Sequence, residues 1–291
     1  TFGGDFGPGM FYSRRIGRAI SPDEIDLPDN GRIEDVPQHV AILGAVKVSG
    51  RTNGGLSLGI LEAVTKREKA IVADAAGFRS GRIVEPLAHY NIIRLKQDVL
   101  DGSNVGMIFT SVAKETRPPA LSGGGDWNLK FDSRTLQLDG FLAVSQTTVR
   151  TNERIGGSAG RIQYGRIAAE HWLWSISGDF TSPGYNINDA GFFRRPDDWG
   201  CIGGLTYKED VPSDIARGYS VALTGHERRN FDNENLIREL RLQAGMIFNN
   251  YWSLNAALSF DHGRYDDRET RGSGLYEKPG AWTRSLSVET D

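Results

Sequence analysis

The sequence is poor in the residues that build disulfide-linked or helical membrane proteins. It contains a single cysteine, Cys201, so no disulfide can form within the chain. No apolar run approaches the ~20 residues that a membrane-spanning helix needs, and the mean hydropathy of −0.40 agrees. Net charge is −3, so nothing in the charge balance indicates a nucleic-acid partner. These absences exclude a helical membrane protein and a disulfide scaffold.

Glycine is abundant by contrast, and the apolar residues follow a period of two. There are 36 glycines in 291 residues, which indicates many turns. Residues 39–51 place Val46 and Val48 on one face and Lys47 and Ser49 on the other, and the Asn53-Gly54 turn follows. The same pattern, alternating apolar residues separated by turn residues, repeats to the end of the chain. Further strands are predicted at residues 56–60, 87–99, 104–115, 126–133, 136–149, 161–169, 170–180, 201–208, 218–228, 237–249, 252–261 and 282–290.

Strand length separates two all-β alternatives. Many of the runs extend for about 9–14 residues, whereas globular strands have a mode near 5–6 and a tilted membrane strand needs about 9–11. Aromatic residues lie mostly toward strand ends on the apolar face, as at a membrane interface. The pattern therefore favours an antiparallel transmembrane β-barrel, or a large part of one, with long polar loops, over a soluble stack of sheets. The predicted lipid-facing residues are Trp172, Trp174, Leu240, Leu242, Met246, Phe248, Trp252, Leu254, Leu258 and Phe260.

The chain divides into an irregular start and one regular domain. Residues 1–38 predict a loop or strand remnant, and residues 39–291 predict the strands and loops of a single barrel domain. The sequence starts at Thr1 without a signal-peptide pattern. We expect either a processed protein or part of a longer parent chain.

Serine and histidine residues raise the possibility of hydrolysis. Residues 156–160 read G-x-S-x-G, the pattern of a nucleophile elbow, with Ser158 at its centre. The elbow needs a helix after the serine, and no helical period follows, so the segment predicts a hairpin turn. A barrel-type lipase would need a histidine at the same rim, for which His171 or His226 could serve. Polar strand positions explain both histidines without catalysis.

Charged groups give two further candidate sites. The doublets Arg14-Arg15, Arg194-Arg195 and Arg228-Arg229 lie beside aromatic residues and could bind an anionic glycan or lipid headgroup, or could pair with carboxylates of the chain. Carboxylate-rich loops at residues 186–189, 197–198, 232–235 and 266–269 could hold calcium, but the EF-hand register is absent. Solvated loops are the favoured reading, and we predict no metal and no cofactor.

Five segments carry a family resemblance. They are residues 11–18, ILGAVKVSGR at 42–51, GLSLGILEAVTKRE at 55–68, residues 84–87, and SPGYNINDAGFFRR at 182–195. The chain resembles an uncharacterised bacterial family of predicted outer-membrane β-barrels that carry an N-terminal domain like carbohydrate-binding-module family nine. That domain is not in this sequence. The resemblance implies the bacterial outer membrane, lipid as a partner, and further barrel strands from the parent chain or another polypeptide.

Three functions remain open from the sequence. The first is a non-catalytic structural or transport barrel. The second is a membrane-anchored protein that binds or processes a glycan, with a glycan or another outer-membrane or periplasmic protein as partner. The third is an outer-membrane hydrolase that uses Ser158. No nucleic acid is expected in any of them.

Overall fold

The computed structural model describes residues 25–27, 29–148, 153–190, 193, 195–270 and 274–290, and the single positions Ile16, Ile20 and Pro22. Within these ranges the chain is all-β, which confirms the predicted class. The same ranges contain no helix that is long and apolar enough to cross a membrane.

Eighteen strands are formed by the described residues. Their bounds are β1 Arg32–Asp35, β2 Ile42–Arg51, β3 Leu56–Thr65, β4 Glu68–Ala73, β5 Arg79–Glu85, β6 Ala88–Val99, β7 Ser103–Lys114, β8 Arg117–Phe131, β9 Leu136–Thr148, β10 Arg154–Arg166, β11 Trp172–Thr181, β12 Asp198–Glu209, β13 Ala216–Arg229, β14 Asn235–Phe248, β15 Ser253–Asp261, β16 Arg264–Asp266, β17 Tyr276–Lys278 and β18 Ala281–Glu289.

Thirteen of these strands form one antiparallel sheet in which most neighbours are consecutive in the chain. Its order is β18-β15-β14-β13-β12-β11-β10-β9-β8-β7-β6-β3-β2. A small sheet, β1-β4-β5, is formed by the hairpin β4-β5, inserted between β3 and β6, and by β1, which precedes β2. The hairpin β16-β17 is inserted between β15 and β18. Among the described residues β2 and β18 do not pair with each other, so the large sheet is open and is not a closed barrel.

The two ends of the large sheet differ in their connections. At one end, called here the short-turn end, the connections are three to six residues long, as in β2–β3, β6–β7 and β14–β15. The opposite end is called the long-loop end. It carries the 16 residues between β11 and β12 and the two inserted units, together with three connections of five residues or fewer.

The two faces of the large sheet differ in polarity because side chains alternate along each strand. One face, called the outer face, is apolar and is not covered by any other described part of the chain: Leu142 and Val144 are 57% and 62% exposed. Cross-strand pairs such as Leu223–Leu242 and Leu242–Leu258 extend this apolar band from strand to strand. The opposite, inner face carries most of the charged and hydroxyl side chains of the strands.

The strands are steeply inclined to the plane of the short turns. A row of directly paired residues begins at Leu56, the first residue of β3, and ends at Glu227, eleven residues beyond Ala216 at the start of β13. The row passes through Gln97, Val105, Trp127, Gly140, Ile162, Gly178 and Cys201. Across eight inter-strand steps of about 4.8 Å, the row moves eleven residues of about 3.3 Å along the strands. The strands are therefore tilted by about 43° from the normal to the plane of the short turns.

Two local predictions from the sequence are wrong. Residues 156–160 do not form a hairpin turn: they lie inside β10, paired with β9. β8 begins at Arg117, well before the predicted Asp126, and so includes Pro118 and Pro119. The prolines are the second and third residues of the strand, and they lie at a register irregularity in the β7–β8 pairing, where a missing N–H donor is tolerated.

Candidate functional site

The 182–197 segment, called here the crossing loop, folds back over the inner face. Tyr185 and Ile187 are buried in an apolar cluster with Phe141 and Ala143 of β9 and Ala159 of β10. Ala190 packs against a second cluster, formed by β3, β6 and β7. The loop therefore leaves β11, reaches the strands on the far side of β9, and returns to begin β12.

Two glycines allow the crossing loop to lie directly on β10. A Cβ at Gly157 would stand 2.1 Å from the backbone nitrogen of Tyr185, and a Cβ at Gly184 would stand 2.3 Å from the carbonyl oxygen of Gly156. Neither position has room for a side chain. Ser182 completes the contact, since its Oγ accepts the N–H of Ser158 at 2.8 Å and its own N–H donates to the Ser158 carbonyl at 2.9 Å.

Beyond the apolar contacts, a first ion network holds the far part of the crossing loop. Lys114 of β7 lies 2.6 Å from Glu85 of the small sheet and 3.4 Å from Asp189 of the loop. Asp189 also pairs with Arg117 of β8 and accepts the Thr147 hydroxyl at 2.8 Å. The two acids balance the two bases, which is what burial of the Lys114 and Glu85 side chains, 7% and 2% exposed, requires.

A second ion network holds the end of the loop. Arg228 of β13 donates to both carboxylate oxygens of Asp179 at 2.7 Å and lies 3.0 Å from Asp198. Arg195 of the loop lies 3.4 Å from Asp198 and 2.7 Å from Asp267, which belongs to the β15–β18 connection. The crossing loop is thus fixed at Asp189 on one side and at Arg195 on the other.

Two inner-face pairs share one geometry. Arg94 of β6 makes a bidentate contact with Asp126 of β8 and passes over Gly106 of β7. A Cβ at Gly106 would meet the Arg94 guanidinium at 2.6 Å. Arg228 reaches Asp179 in the same way, over Gly200 of β12. In each case an arginine spans two strand spacings because the strand between them carries a glycine.

Two pKa shifts occur in the loops. Burial raises the pKa of the Tyr185 phenol to about 12, because the anion would be desolvated against β10. In the β16–β17 hairpin the Lys278 ammonium beside Asp266 holds the pKa of that carboxyl well below its usual range, with help from two backbone N–H groups. The crossing loop therefore holds a neutral phenol, and the hairpin holds an ionised acid.

Comparison with known proteins places the chain in a family. One family model matches residues 7–291, which is nearly the whole chain. The chain belongs to the DUF5916 family. That family is described as a domain of unknown function, so membership supports the uncharacterised family expected from the sequence and assigns no activity. No curated protein and no solved structure matches the chain.

The arginine doublets have different outcomes in this DUF5916 domain. Arg14, Arg15 and Arg194 lie outside the described residues. Arg195 is described, and carboxylates of the same chain neutralise it. Arg195 therefore pairs with carboxylates of the chain, which is the second alternative that the sequence offered for the doublets.

Ser158 and the histidines are not brought together in the DUF5916 domain. Ser158 pairs with Val144, whose side chain lies on the outer face, and it stands near the long-loop end of β10. His171 lies at the short-turn end, 3.5 Å from Glu209. His226 lies on the inner face of β13, paired with Ile202.

The ten residues predicted to face lipid all share the outer face or stand at its short-turn edge. Cross-strand pairs connect Leu240 with Phe260, Leu242 with Leu258, and Met246 with Leu254. Two aromatic rows border the apolar band of this face. The row at the short-turn end is Tyr164, Trp172, Trp174, Tyr207 and Tyr219, and the row at the long-loop end is Phe180, Trp199, Phe260 and Trp282.

The acidic loops act as structural partners where the DUF5916 domain is described. Asp189 and Asp198 belong to the ion networks, and Asp197 accepts the backbone N–H of Phe231 at 3.1 Å. Within the described ranges no group of three or more potential ligands is arranged to hold a metal ion.

Sequence reasoning missed Lys114, Glu85 and Asp179, which are central members of the two networks. Pairing of Arg228 with carboxylates of the chain was one of the two alternatives for its doublet. A signal was present for one pair of the same geometry. Arg94, Gly106 and Asp126 occupy inward positions of three strands that were each predicted, but choosing them requires the strand register.

Proposed function

We propose that this domain forms the membrane-spanning sheet of a β-barrel in the bacterial outer membrane, with a structural or transport role. The uncovered apolar outer face carries the proposal. Soluble monomers rarely expose apolar patches beyond a few hundred Å², and here the band extends across the strands of a 13-stranded sheet. Lipid is the solvent that would cover such a face while the charged inner face stays wet or internally paired.

The dimensions of the sheet support the same proposal. A strand tilt of about 43° falls within the roughly 35–45° range of membrane barrels. Eight residues separate Trp172 from Phe180 along β11, which is about 26 Å of strand and about 20 Å of height at that tilt. An apolar band about 25 Å tall, bordered by aromatic residues, is typical of outer-membrane strands. By the same analogy, short turns face the periplasm and long loops face outward.

The crossing loop gives the proposed barrel an obstructed interior. It contacts β3, β6, β7, β9 and β10 through the clusters around Tyr185 and Ala190, and both ion networks hold it. A transport role would then need the loop to move, and a structural role would not. No contact among the described residues favours glycan binding or hydrolysis at Ser158.

The two edges of the sheet set a condition on closure. β2 and β18 both run from the long-loop end to the short-turn end, so direct closure would make them parallel neighbours. Unpaired backbone groups in hydrocarbon each cost several kcal/mol. We therefore expect an odd number of additional strands, from the parent chain or from another polypeptide, between these edges in an all-antiparallel barrel.

Refolding into lipid vesicles tests the membrane proposal. Leu242→Arg, on the outer face, should destabilise the inserted state by roughly 2–4 kcal/mol, whereas Gln243→Arg, one residue along, should cost much less because it faces the interior. Equal effects of the two substitutions, or a monomer that stays soluble in plain buffer, would contradict the proposal. Conductance across planar bilayers then separates transport from a purely structural role.

A further inference from the structure

The arginine doublet at the end of β13 splits between the two faces of the sheet. Arg228 points inward to Asp179, and Arg229 points to the outer face, directly opposite Trp199 of β12. Arg238 of β14 is also on the outer face, paired with Glu227. His262 continues that register beyond β15, because its N–H donates to the Arg238 carbonyl at 2.9 Å.

Arg229 and Arg238, with the neighbouring His262 ring, are called here the outer cationic patch. Among the contacts of the described residues one carboxylate serves it, Glu227, whose Oε1 accepts from Arg229 at 2.7 Å and from Arg238 at 3.2 Å. Two guanidinium groups thus share one acid and leave an excess positive charge. The inner-face networks differ, since Arg228 there lies between two carboxylates.

The patch lies at and just beyond the aromatic row at the long-loop end. Counted from the short-turn end of each strand, Phe260 and Trp282 lie seven residues along the strand, Trp199 and Arg238 lie ten, and Glu227 lies eleven. The His262 ring packs edge-on against Phe260 at 5.7 Å between centroids, and Phe260 lies 4.7 Å from Trp282. Cationic groups next to interfacial aromatic rings stand at the height of lipid headgroups in a membrane protein.

Guanidinium groups suit one headgroup chemistry in particular. Arginine binds phosphate through two parallel N–H donors. A phosphomonoester carries more negative charge than the phosphodiester of a choline or ethanolamine headgroup, whose charge is also balanced by its own ammonium group, so the phosphomonoester attracts the guanidinium groups more strongly. Arg238 keeps donors for this purpose, since its side chain is 43% exposed and one of its nitrogens contacts Glu227. Arg229 is held by Glu227 and by Asn233 at 2.9 Å, so it is already oriented along the outer face.

We propose that the outer cationic patch binds the phosphate of a membrane lipid headgroup at the long-loop end of the sheet. This inference rests on the proposed membrane function. It names a lipid class, one that carries a phosphomonoester such as a phosphorylated lipid A, and a place on the barrel wall where that lipid would stay bound. Glu227 sets the strength of the site by competing for the same guanidinium groups.

The test compares the thermal unfolding of the protein in phosphatidylcholine vesicles with and without added diphosphorylated lipid A, followed by the heat-dependent shift in gel mobility. Lipid A should raise the unfolding temperature of the wild type. Arg238→Gln should lose most of that rise, and Arg229→Gln combined with Arg238→Gln should lose all of it. Glu227→Gln should enlarge the rise because the competing acid is gone.

Two control variants and a comparison with inorganic phosphate show whether the rise comes from this site. Arg217→Gln removes an exposed arginine that lies over Tyr251 at the short-turn end, and it should keep the full rise. Arg238→Lys keeps the positive charge but not the planar pair of N–H donors, so it should keep part of the rise in unfolding temperature. A rise that survives in the double variant, or that inorganic phosphate alone reproduces, would overturn the lipid site. Failure of every variant and the wild type to enter vesicles would instead overturn the membrane proposal, and this inference with it.

Discussion

Arg228 on β13 and Asp179 on β11 form an ion pair across the glycine of the strand between them, in which one guanidinium nitrogen donates to both carboxylate oxygens. Their side chains are 6% and 7% exposed, and Gly200 supplies the space through which the guanidinium passes. Asp198 and then Arg195 extend the pair to the end of the crossing loop. The pair therefore connects the sheet to the segment that obstructs its interior.

Replacement of the buried Arg228 should lower the free energy of unfolding substantially. Arg228→Met leaves Asp179 and Asp198 without their shared cation, and loss of one partner of a buried pair costs about 3–5 kcal/mol. The matched control is Arg51→Met, because Arg51 also reaches over one strand to an aspartate, Asp98, but its side chain is 66% exposed. That change should cost less than about 1 kcal/mol. Denaturant titration in detergent measures both, and similar costs would show that the pair is not buried in solution.

The contact between the crossing loop and β10 can be broken with one methyl group. Gly157→Ala places a Cβ where the Tyr185 backbone lies, so the loop must leave the inner face. Gly204→Ala is the control, since it adds the same atom on the inner face of β12 with nothing nearer than 3.9 Å. We expect Gly157→Ala to expose Tyr185, which is buried in the wild type, to cleavage by chymotrypsin and to increase conductance in planar bilayers. Unchanged cleavage relative to Gly204→Ala would show that the loop is not held there.

Tyr185 provides a pH-dependent signal for the same contact. Its pKa is raised to about 12 by burial, so the unfolded chain ionises this phenol from about pH 10 while the folded chain does not. Its contribution to stability is fully present below about pH 10 and is lost as the pH rises toward 12. Absorbance at 295 nm should show a late-titrating tyrosine that disappears in Tyr185→Phe. A titration near pH 10 for all nine tyrosines would contradict the buried position.

The regular part of the fold was predictable because strand alternation is a local property. Residues 237–249 and 252–261 already separate Leu242 from Gln243 by parity, and the register then pairs Leu242 with Leu258. The small β1-β4-β5 sheet was not predicted, since pairing partners far apart in sequence leave no periodic signal. The open edges of the large sheet agree with the expectation that further strands come from the parent chain or from another polypeptide. Domain bounds at residue 38 remain a prediction.

The crossing loop was not predictable for the same reason. Glycine is a common turn former, so the glycines at 156 and 157 suggest a turn. Their presence in a strand is explained by the crossing loop that packs on them, and its Gly184 comes 27 residues after Gly157. Lys114 likewise gave no signal of its own, because its partners Glu85 and Asp189 come from a separate sheet and from the loop. Long-range ion pairs depend on tertiary geometry rather than on composition.

The membrane assignment of the outer face is tested most directly by site-specific spin labels. Labels at positions 242 and 258, a cross-strand pair on the outer face, should be relaxed by oxygen dissolved in lipid and protected from an aqueous nickel chelate. Labels at 243 and 257, the adjacent pair on the inner face, should show the reverse or be shielded from both. Aqueous access at 242 and 258 equal to that at 243 and 257, in protein reconstituted into vesicles, would contradict the assignment.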